Sequence, residues 1–344
     1  MNEVHFTSNA EYSYYQGAVS PIFWSFVMIV RDMVAGLVVR KAPSLIYYLA
    51  DKPSRKGIRI RSDRTMIRVE RVPQRKSIYI GRNSAVYLPD MIESFDYFFG
   101  SVEPVQVNGF DVVDFSGVKS HNVNGFSDFP VCFPSIAEPL ATTDQYLGFA
   151  RLSPGEVVLD LGSYSALTSI LFSKGVGESG KVIAVEPDPL NHNVSTRNIR
   201  THFKINHLRN IDLVEAAVGG ATGYMELSAE GAMGSANADL VGRYRGATVK
   251  VRKRTLMDLV ETYKLNRVDF VKMDIEGSED EVISQSSSFF IKYKPRIVIE
   301  PHRVRGVRTD KAVVERLTSY GYECRVSPQT GIKTLPLIFA TPPL

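Results

Sequence analysis

Val157-Val158-Leu159-Asp160-Leu161-Gly162-Ser163-Tyr164-Ser165-Ala166-Leu167-Thr168-Ser169 is the stretch whose reading decides the fold. Four apolar residues interrupted by Asp160 run into Gly162, and small and polar residues then lead to a helical pattern carried by Leu167, Ile170 and Leu171. This reads as a buried strand, a tight turn and a helix. In an open parallel sheet, the crevice outside the carboxyl end of such a strand is where a nucleotide-like ligand sits. Gly162 allows a sharp turn and close backbone approach to that ligand, and Asp160 leaves an acceptor beside it.

The turn lacks the G-x-G-x-x-G spacing of pyrophosphate-binding folds and the G-x-x-x-x-G-K-[ST] of a P-loop. A ligand without phosphates is therefore favoured, S-adenosylmethionine being the common one. The small polar residues Ser163 and Ser165 belong to the same turn and are expected to face it.

Downstream, strands and helices alternate. Lys181 to Glu186 reads as a second buried strand, and Glu186, twenty-four residues after Gly162, is placed to accept hydrogen bonds from both ribose hydroxyls. Asp188 and Pro189 read as the N-cap and first position of the next helix. A third strand, Ile211 to Val218, offers Glu215 or main-chain groups near Ala217 for an adenine. A hairpin-like pair, Tyr224 to Leu227 and Thr248 to Arg254, encloses Glu230 to Asn237, whose Gly, Ser and Ala content suits a lid. Ser235 within it is a candidate substrate contact.

The fourth strand, Val268 to Asp274, places Asp274 at the ligand crevice with Lys272 on the same face. A lysine in an apolar strand is costly unless paired, which predicts a carboxylate partner, Asp274 or Glu276. Ser278 and Glu281 have the spacing of a capping box. Arg296 to Glu300 is a fifth strand, bringing Glu300 and His302 to the same edge as Asp274. A helix from about Asp310 and two last strands, Tyr322 to Val326 and Leu335 to Ala340, complete a seven-stranded, doubly wound, mostly parallel sheet. The short turn before the final strand predicts that it runs antiparallel.

Upstream, Lys52 to Arg82 holds eleven Lys or Arg against two acids. Ile58, Ile60, Ile67, Val69, Ile78 and Ile80 alternate with Arg59, Arg61 and Arg68, the mark of half-buried strands with one wet face. Pro89 to Phe99 predicts one helix, and Ser116 to Pro139 a long loop packed down by Phe126, Phe129 and Phe133. The apolar run Ile22 to Val39 is split by Arg31-Asp32, so one packed helix is expected and no spanning one.

The net charge of +4 and the sparse aromatics among the basic strands argue against a nucleic-acid partner. Two cysteines, Cys132 and Cys324, give no disulfide framework and suit a reducing, cytoplasmic setting. A peripheral membrane contact and homo-oligomerisation stay open.

The runs Val271-Lys272-Met273-Asp274-Ile275-Glu276-Gly277-Ser278-Glu279 and Ile299-Glu300-Pro301-His302 resemble the FkbM-type family of S-adenosylmethionine-dependent methyltransferases. The resemblance covers the chain from about Leu152 onward. It implies a Rossmann-like class I methyltransferase domain over residues 141–344, leaving residues 1–140 as a mixed α+β cap. It further implies O-methylation of a hydroxyl on a sugar, glycolipid or natural product. The family usually shows a second glycine where this chain has Ala166, which narrows the pocket if that position needs a positive φ.

Within this picture His302 is the expected base and Asp274 a ligand of the methionyl amino group or the acceptor. Glu276 and Arg303 are expected substrate contacts, and Arg303, Arg305 and Arg308 suit an anionic acceptor. No metal-ligand spacing is present, although Asp274, Glu276, Glu300 and His302 could together ligate a divalent cation. Two other functions remain open at this stage, a nucleotide-cofactor oxidoreductase and a binding protein without turnover.

Overall fold

The computed structural model describes residues 57–137, 139–228, 248–304, 307–331 and 336–343. The helix expected over Ile22 to Val39 and the lid with Ser235 lie outside these residues.

The alternating basic segment folds as expected into β1 (Ile58–Ser62), β2 (Met66–Arg71) and β3 (Lys76–Gly81). Ile58, Ile67, Val69, Ile78 and Ile80 are buried, whereas Arg59 and Arg61 are exposed. Arg68 pairs with Asp63 at 3.2 Å and lies over Tyr79, so part of the basic face is internally compensated.

One helix is expected over Pro89 to Phe99, but there are two, α1 (Leu88–Glu93) and α2 (Phe95–Phe99). Ser94, at φ −118° and ψ 40°, leaves helical geometry between them, and Phe95 then stacks on Phe99. β4 (Val105–Val107) and β5 (Phe110–Phe115) complete a five-stranded sheet of order β1-β2-β3-β5-β4. The segment read as a long loop contains a short pair, β6 (Lys119–His121) and β7 (Val131–Phe133).

After α3 (Leu140–Ala150) comes the unit that decides the fold, β8 (Val157–Leu161) and α4 (Leu167–Val176). β9 (Lys181–Val185), α5 (Pro189–Asn206) and β10 (Ile211–Val214) continue it. Asp188 caps α5, accepting from the backbone N–H groups of Leu190 and Asn191.

The third strand does not run on to Val218. Ala216 N donates to Val214 O at 3.1 Å, and this tight turn moves the chain into β11 (Ala217–Val218), which pairs with another sheet. That sheet is completed by β12 (Gly223–Ser228) and β13 (Thr248–Arg254).

Next follow α6 (Leu256–Thr262), β14 (Phe270–Met273), α7 (Glu279–Gln285), α8 (Ser287–Tyr293) and β15 (Arg296–Ile299). A small hairpin, β16 (Arg303–Val304) and β17 (Val307–Arg308), precedes α9 (Asp310–Ser319), β18 (Glu323–Pro328) and β19 (Pro336–Thr341).

The central sheet has seven strands in the order β10-β9-β8-β14-β15-β19-β18. β19 runs antiparallel to both β15 and β18, while β10, β9, β8, β14 and β15 are parallel. Alternation sends Val157, Leu159 and Leu161 to one face, where they meet Leu256, Val282, Phe289 and Leu317 from α6 to α9. Val158 faces the other side, against Tyr146, Ala150, Phe172 and Val176 of α3 and α4.

Strand order reverses between β8 and β14, the position at which open α/β sheets form ligand crevices. Among the described residues, no helix is long and apolar enough to cross a membrane.

The amino-terminal sheet is packed onto this framework. Leu167 and Ile170 of α4 share a buried cluster with Ile78, Phe95, Phe126 and Phe133. Phe133→Ala should therefore lower stability by about 3–5 kcal/mol, the usual cost of emptying an aromatic core site. Urea unfolding of both proteins checks this.

Candidate functional site

The crevice begins at the turn after β8. Gly162 has φ 79°, and a Cβ there would lie 1.8 Å from the carbonyl oxygen of Asp274, a clash with backbone that cannot yield. Gly162 and Ser163 both donate their backbone N–H to Val185 O, at 2.9 and 3.0 Å, and Asp274 N donates to Leu161 O at 3.0 Å. The ends of β8, β9 and β14 are thereby held edge to edge.

Lys272 lies beside Asp160 in register on neighbouring strands. Its Nζ donates to Gly162 O at 2.5 Å and stands 3.5 Å from Asp160 Oδ1 and 3.7 Å from Asp274 Oδ2. The expected carboxylate partner Asp274 is present, and Asp160 is the closer one. Ser169 Oγ donates to Asp160 Oδ2 at 2.6 Å. Burial pushes the Asp160 carboxyl up, and the Lys272 ammonium and Ser169 pull it back toward its charged form.

A cavity of about 190 Å³ opens above this turn. Gly162, Tyr164, Thr168, Glu186 and Ala217 line it along the sheet edge, and Lys272, Asp274, Glu276 and Glu300 line it on the β14 and β15 side. Tyr87, Asp90, Tyr97 and Phe98 from the amino-terminal region close the opposite wall, joined by Thr142 and Tyr146 of α3. Tyr97 Oη and Thr142 Oγ1 are 2.5 Å apart, tying that wall to α3.

Among the expected site residues, Gly162, Glu186, Ala217, Asp274 and Glu276 come together around this cavity. Asp160, Ser163 and Ser165 do not line it. Asp160 is turned inward by its pairing with Lys272 and Ser169. Ser163 and Ser165 are buried within the turn, their carbonyls accepting from Ala166 N at 2.6 Å and Asn198 Nδ2 at 2.8 Å. Glu215 is exposed and outside the lining, because the tight turn at Ala216 directs the chain away from the sheet edge.

Arg303 is exposed on the β16–β17 hairpin rather than in the cavity wall, and Arg308 is engaged with Asp310 at 2.7 Å. Ala166 does adopt a positive φ, 62°, yet it is fully buried and absent from the lining, so its methyl does not narrow the cavity.

Sequence reasoning missed Tyr87, Tyr97, Tyr146, Tyr164 and Thr168. Tyr164 and Thr168 stand in the quoted turn itself, and strand-end alternation around Gly162 was the available signal. Nothing local marks Tyr87 or Tyr97, since their place follows from how the amino-terminal sheet docks on α4.

Glu186 accepts from Tyr164 N at 2.8 Å, Asp188 N at 2.9 Å and Asn191 Nδ2 at 3.2 Å. Burial nevertheless pushes its carboxyl up to about 8 from 4.5, against these donors.

His302 is placed differently from expectation. Its Nδ1 donates to Oε1 of the fully buried Glu279 at 2.8 Å, and its Nε2 is 3.6 Å from both Asp274 Oδ1 and Glu276 Oε2. The ring is 7% exposed and lies behind these carboxylates, not in the lining. Burial opposes its charge, but Glu276, Glu279 and Asp274 outweigh burial and hold it well above the ordinary imidazole value. Its Nε2 faces Asp274 and Glu276 and the ring is outside the lining, so the base role expected for His302 is not supported.

The expected capping box is also replaced. Ser278 makes no side-chain cap; Glu279 instead accepts from Ile275 N and Gly277 N, and Glu281 accepts from Gly220 N. Glu300 lines the cavity, and its Oε2 accepts from Tyr146 Oη at 3.3 Å.

The family model of the methyltransferase FkbM domain matches residues 160–324, which hold the turn, the cavity floor and the Asp274 to Glu279 loop. Over these residues the chain is similar to FkbM methyltransferase domains. Among solved structures, an FkbM methyltransferase from Methylobacillus flagellatus KT is 22% identical, with a TM-score of 0.43. That match covers 59% of this chain and 48% of the other, so it spans about half the relative's length. A SAM-dependent O-methyltransferase from Thermotoga maritima is 14% identical at a TM-score of 0.37, over 61% of this chain and 67% of that one. A putative O-methyltransferase from Klebsiella pneumoniae is 8% identical at 0.38, over 61% and 82%. No curated protein matches the chain.

Two outcomes follow. Lys272→Met leaves Asp160 buried without its cation and should cost about 3–5 kcal/mol, with Asp160→Asn in the same chain recovering part of the loss; denaturant titration of the three proteins checks it. An acid whose pKa is raised on folding binds more protons folded than unfolded, so its contribution to stability falls as pH rises through that interval. For Glu186 the interval is from about 4.5 to about 8. Wild type should lose thermal stability across it relative to Glu186→Gln, as scans of both proteins at stepped pH would read.

Proposed function

We propose that this chain transfers the methyl group of S-adenosylmethionine to a hydroxyl of a sugar, glycolipid or natural-product acceptor. The observation that carries the reading is one cavity with two unlike walls. The sheet-edge wall, with Gly162, Glu186 and Ala217, suits a nucleoside: Glu186 accepts from ribose hydroxyls, and the glycine turn admits close approach. The opposite wall presents Tyr87, Tyr97, Phe98 and Tyr146, whose rings pack against apolar faces while the phenolic hydroxyls meet polar ones. A polyol acceptor has both kinds of surface.

The carboxylates of Asp274, Glu276 and Glu300 lie between the two walls, where they attract a sulfonium. An acceptor oxygen attacks the methyl carbon in line; the O–C bond forms as the C–S bond breaks, and its electron pair returns to sulfur. The leaving group is already cationic, so positioning supplies most of the acceleration. Glu300, which accepts from Tyr146 Oη and whose carboxyl is pushed up to about 8 by burial and the nearby Asp274, takes the hydroxyl proton in its ionised form in place of His302, so transfer should rise with pH toward that value.

The acceptor is assigned here as uncharged. Among the described residues the lining carries five acids, Asp90, Glu186, Asp274, Glu276 and Glu300, against one cation, Lys272. Of the arginines that suggested an anionic acceptor, Arg303 and Arg308 stand outside the lining.

Calorimetric titration with S-adenosylhomocysteine tests the cofactor half. Saturable binding is expected, weakened about tenfold or more by Glu186→Ala; absence of binding to wild type overturns the reading. For the reaction half, Glu300→Gln should slow methyl transfer by about 10²- to 10⁴-fold and leave cofactor affinity nearly intact. Neutral sugars should be methylated faster than their uronic-acid counterparts in a screen with labelled methyl donor.

A further inference from the structure

Asp274, Glu276 and His302 each direct one ligand-type atom to a common point, with all three atoms within 4.8 Å of one another. His302 Nε2 is 3.6 Å from each carboxylate oxygen, longer than a hydrogen bond. Ligands bound at about 2.0–2.2 Å to one ion stand roughly 3–3.5 Å apart, so the two spacings to His302 need little contraction to close on a cation.

A further observation points the same way. The other ring nitrogen donates to the fully buried Glu279, which the backbone N–H groups of Ile275 and Gly277 hold in turn. That is the carboxylate–histidine pairing which orients a metal-bound imidazole and raises its basicity.

We propose that Asp274, Glu276 and His302 bind one divalent cation at the cavity floor. Two carboxylate oxygens and an imidazole nitrogen suit a transition ion such as Mn²⁺ or Zn²⁺ better than Ca²⁺. Asp274 and Glu276 also line the cavity, so an ion they hold can be approached from it, as a catalytic centre requires. The consequence for catalysis rests on the methyl-transfer reading: the ion holds the acceptor hydroxyl and lowers its pKa. The proton then leaves to Glu300 or water as the oxygen attacks the methyl carbon and the C–S electron pair goes to sulfur.

The test uses the full chain after chelator treatment and dialysis. MnCl₂, ZnCl₂ and CaCl₂ are titrated separately by calorimetry, and S-adenosylhomocysteine in parallel. One saturable site for Mn²⁺ or Zn²⁺, preferred over Ca²⁺, is expected. Glu276→Gln and His302→Gln should weaken it at least tenfold, and Glu279→Gln by about 10- to 100-fold through the ring it orients. Circular dichroism confirms that each variant is folded, and Glu276, the more exposed ligand, serves if His302 variants are not. Ion binding undisturbed by folded Glu276→Gln places the ion elsewhere and overturns the proposal. No ion binding while S-adenosylhomocysteine still binds overturns it too, and leaves the methyltransferase reading standing. Ion binding that depends on Glu276, without S-adenosylhomocysteine binding, upholds the site and removes the cofactor reading instead.

Discussion

Lys272 is the fixed point of this protein. A cation inside an apolar strand can persist only if its solvation is replaced, and here Gly162 O, Asp160 and Asp274 replace it. The same contacts fasten the glycine turn of β8 to the end of β14, at the place where strand order reverses. One buried charge thus fixes the distance between the glycine-turn edge of the cavity and its acidic floor. Asp160 belongs to this brace, which is why a residue beside the turn in sequence is absent from the cavity lining.

Much of the fold was legible because the signals were local and periodic. The βα alternation from Val157 onward, the Asp188 N-cap and the alternating strands of the amino-terminal sheet each depend on side-chain direction within a few residues. The misreadings arose where a tertiary contact decides the backbone. Ser94 splits what looks like one helix, and the turn at Ala216 diverts a strand into a second sheet. At the loop after Asp274, residue types suggested a Ser278–Glu281 box, whereas Glu279 reaches the backbone N–H groups of Ile275 and Gly277 and carries His302 on its other side.

The candidate site was legible in part for the same reason. Residues at strand ends, Gly162, Glu186, Asp274 and Glu276, could be placed because parallel strands deliver their carboxyl ends to one edge. His302 could be placed at that edge but not oriented, since its partners come from a separate loop. The aromatic wall could not be foreseen at all, because Tyr87 and Tyr97 reach the cavity only through the docking of one sheet on another.

That docking bears on how such a protein can change over time or by design. The seam between Phe126, Phe133 and the α4 residues Leu167 and Ile170 adjoins the glycine turn, since those two residues open the helix that follows it. The segment that shapes the aromatic wall is thus mechanically continuous with the segment that shapes the sheet-edge wall. Exchange of the amino-terminal region between relatives would transplant the aromatic wall only if the seam travelled with it. The cavity's shape is inherited as a matched pair of surfaces, and single substitutions within the aromatic wall are the route by which it can drift without disturbing the glycine turn.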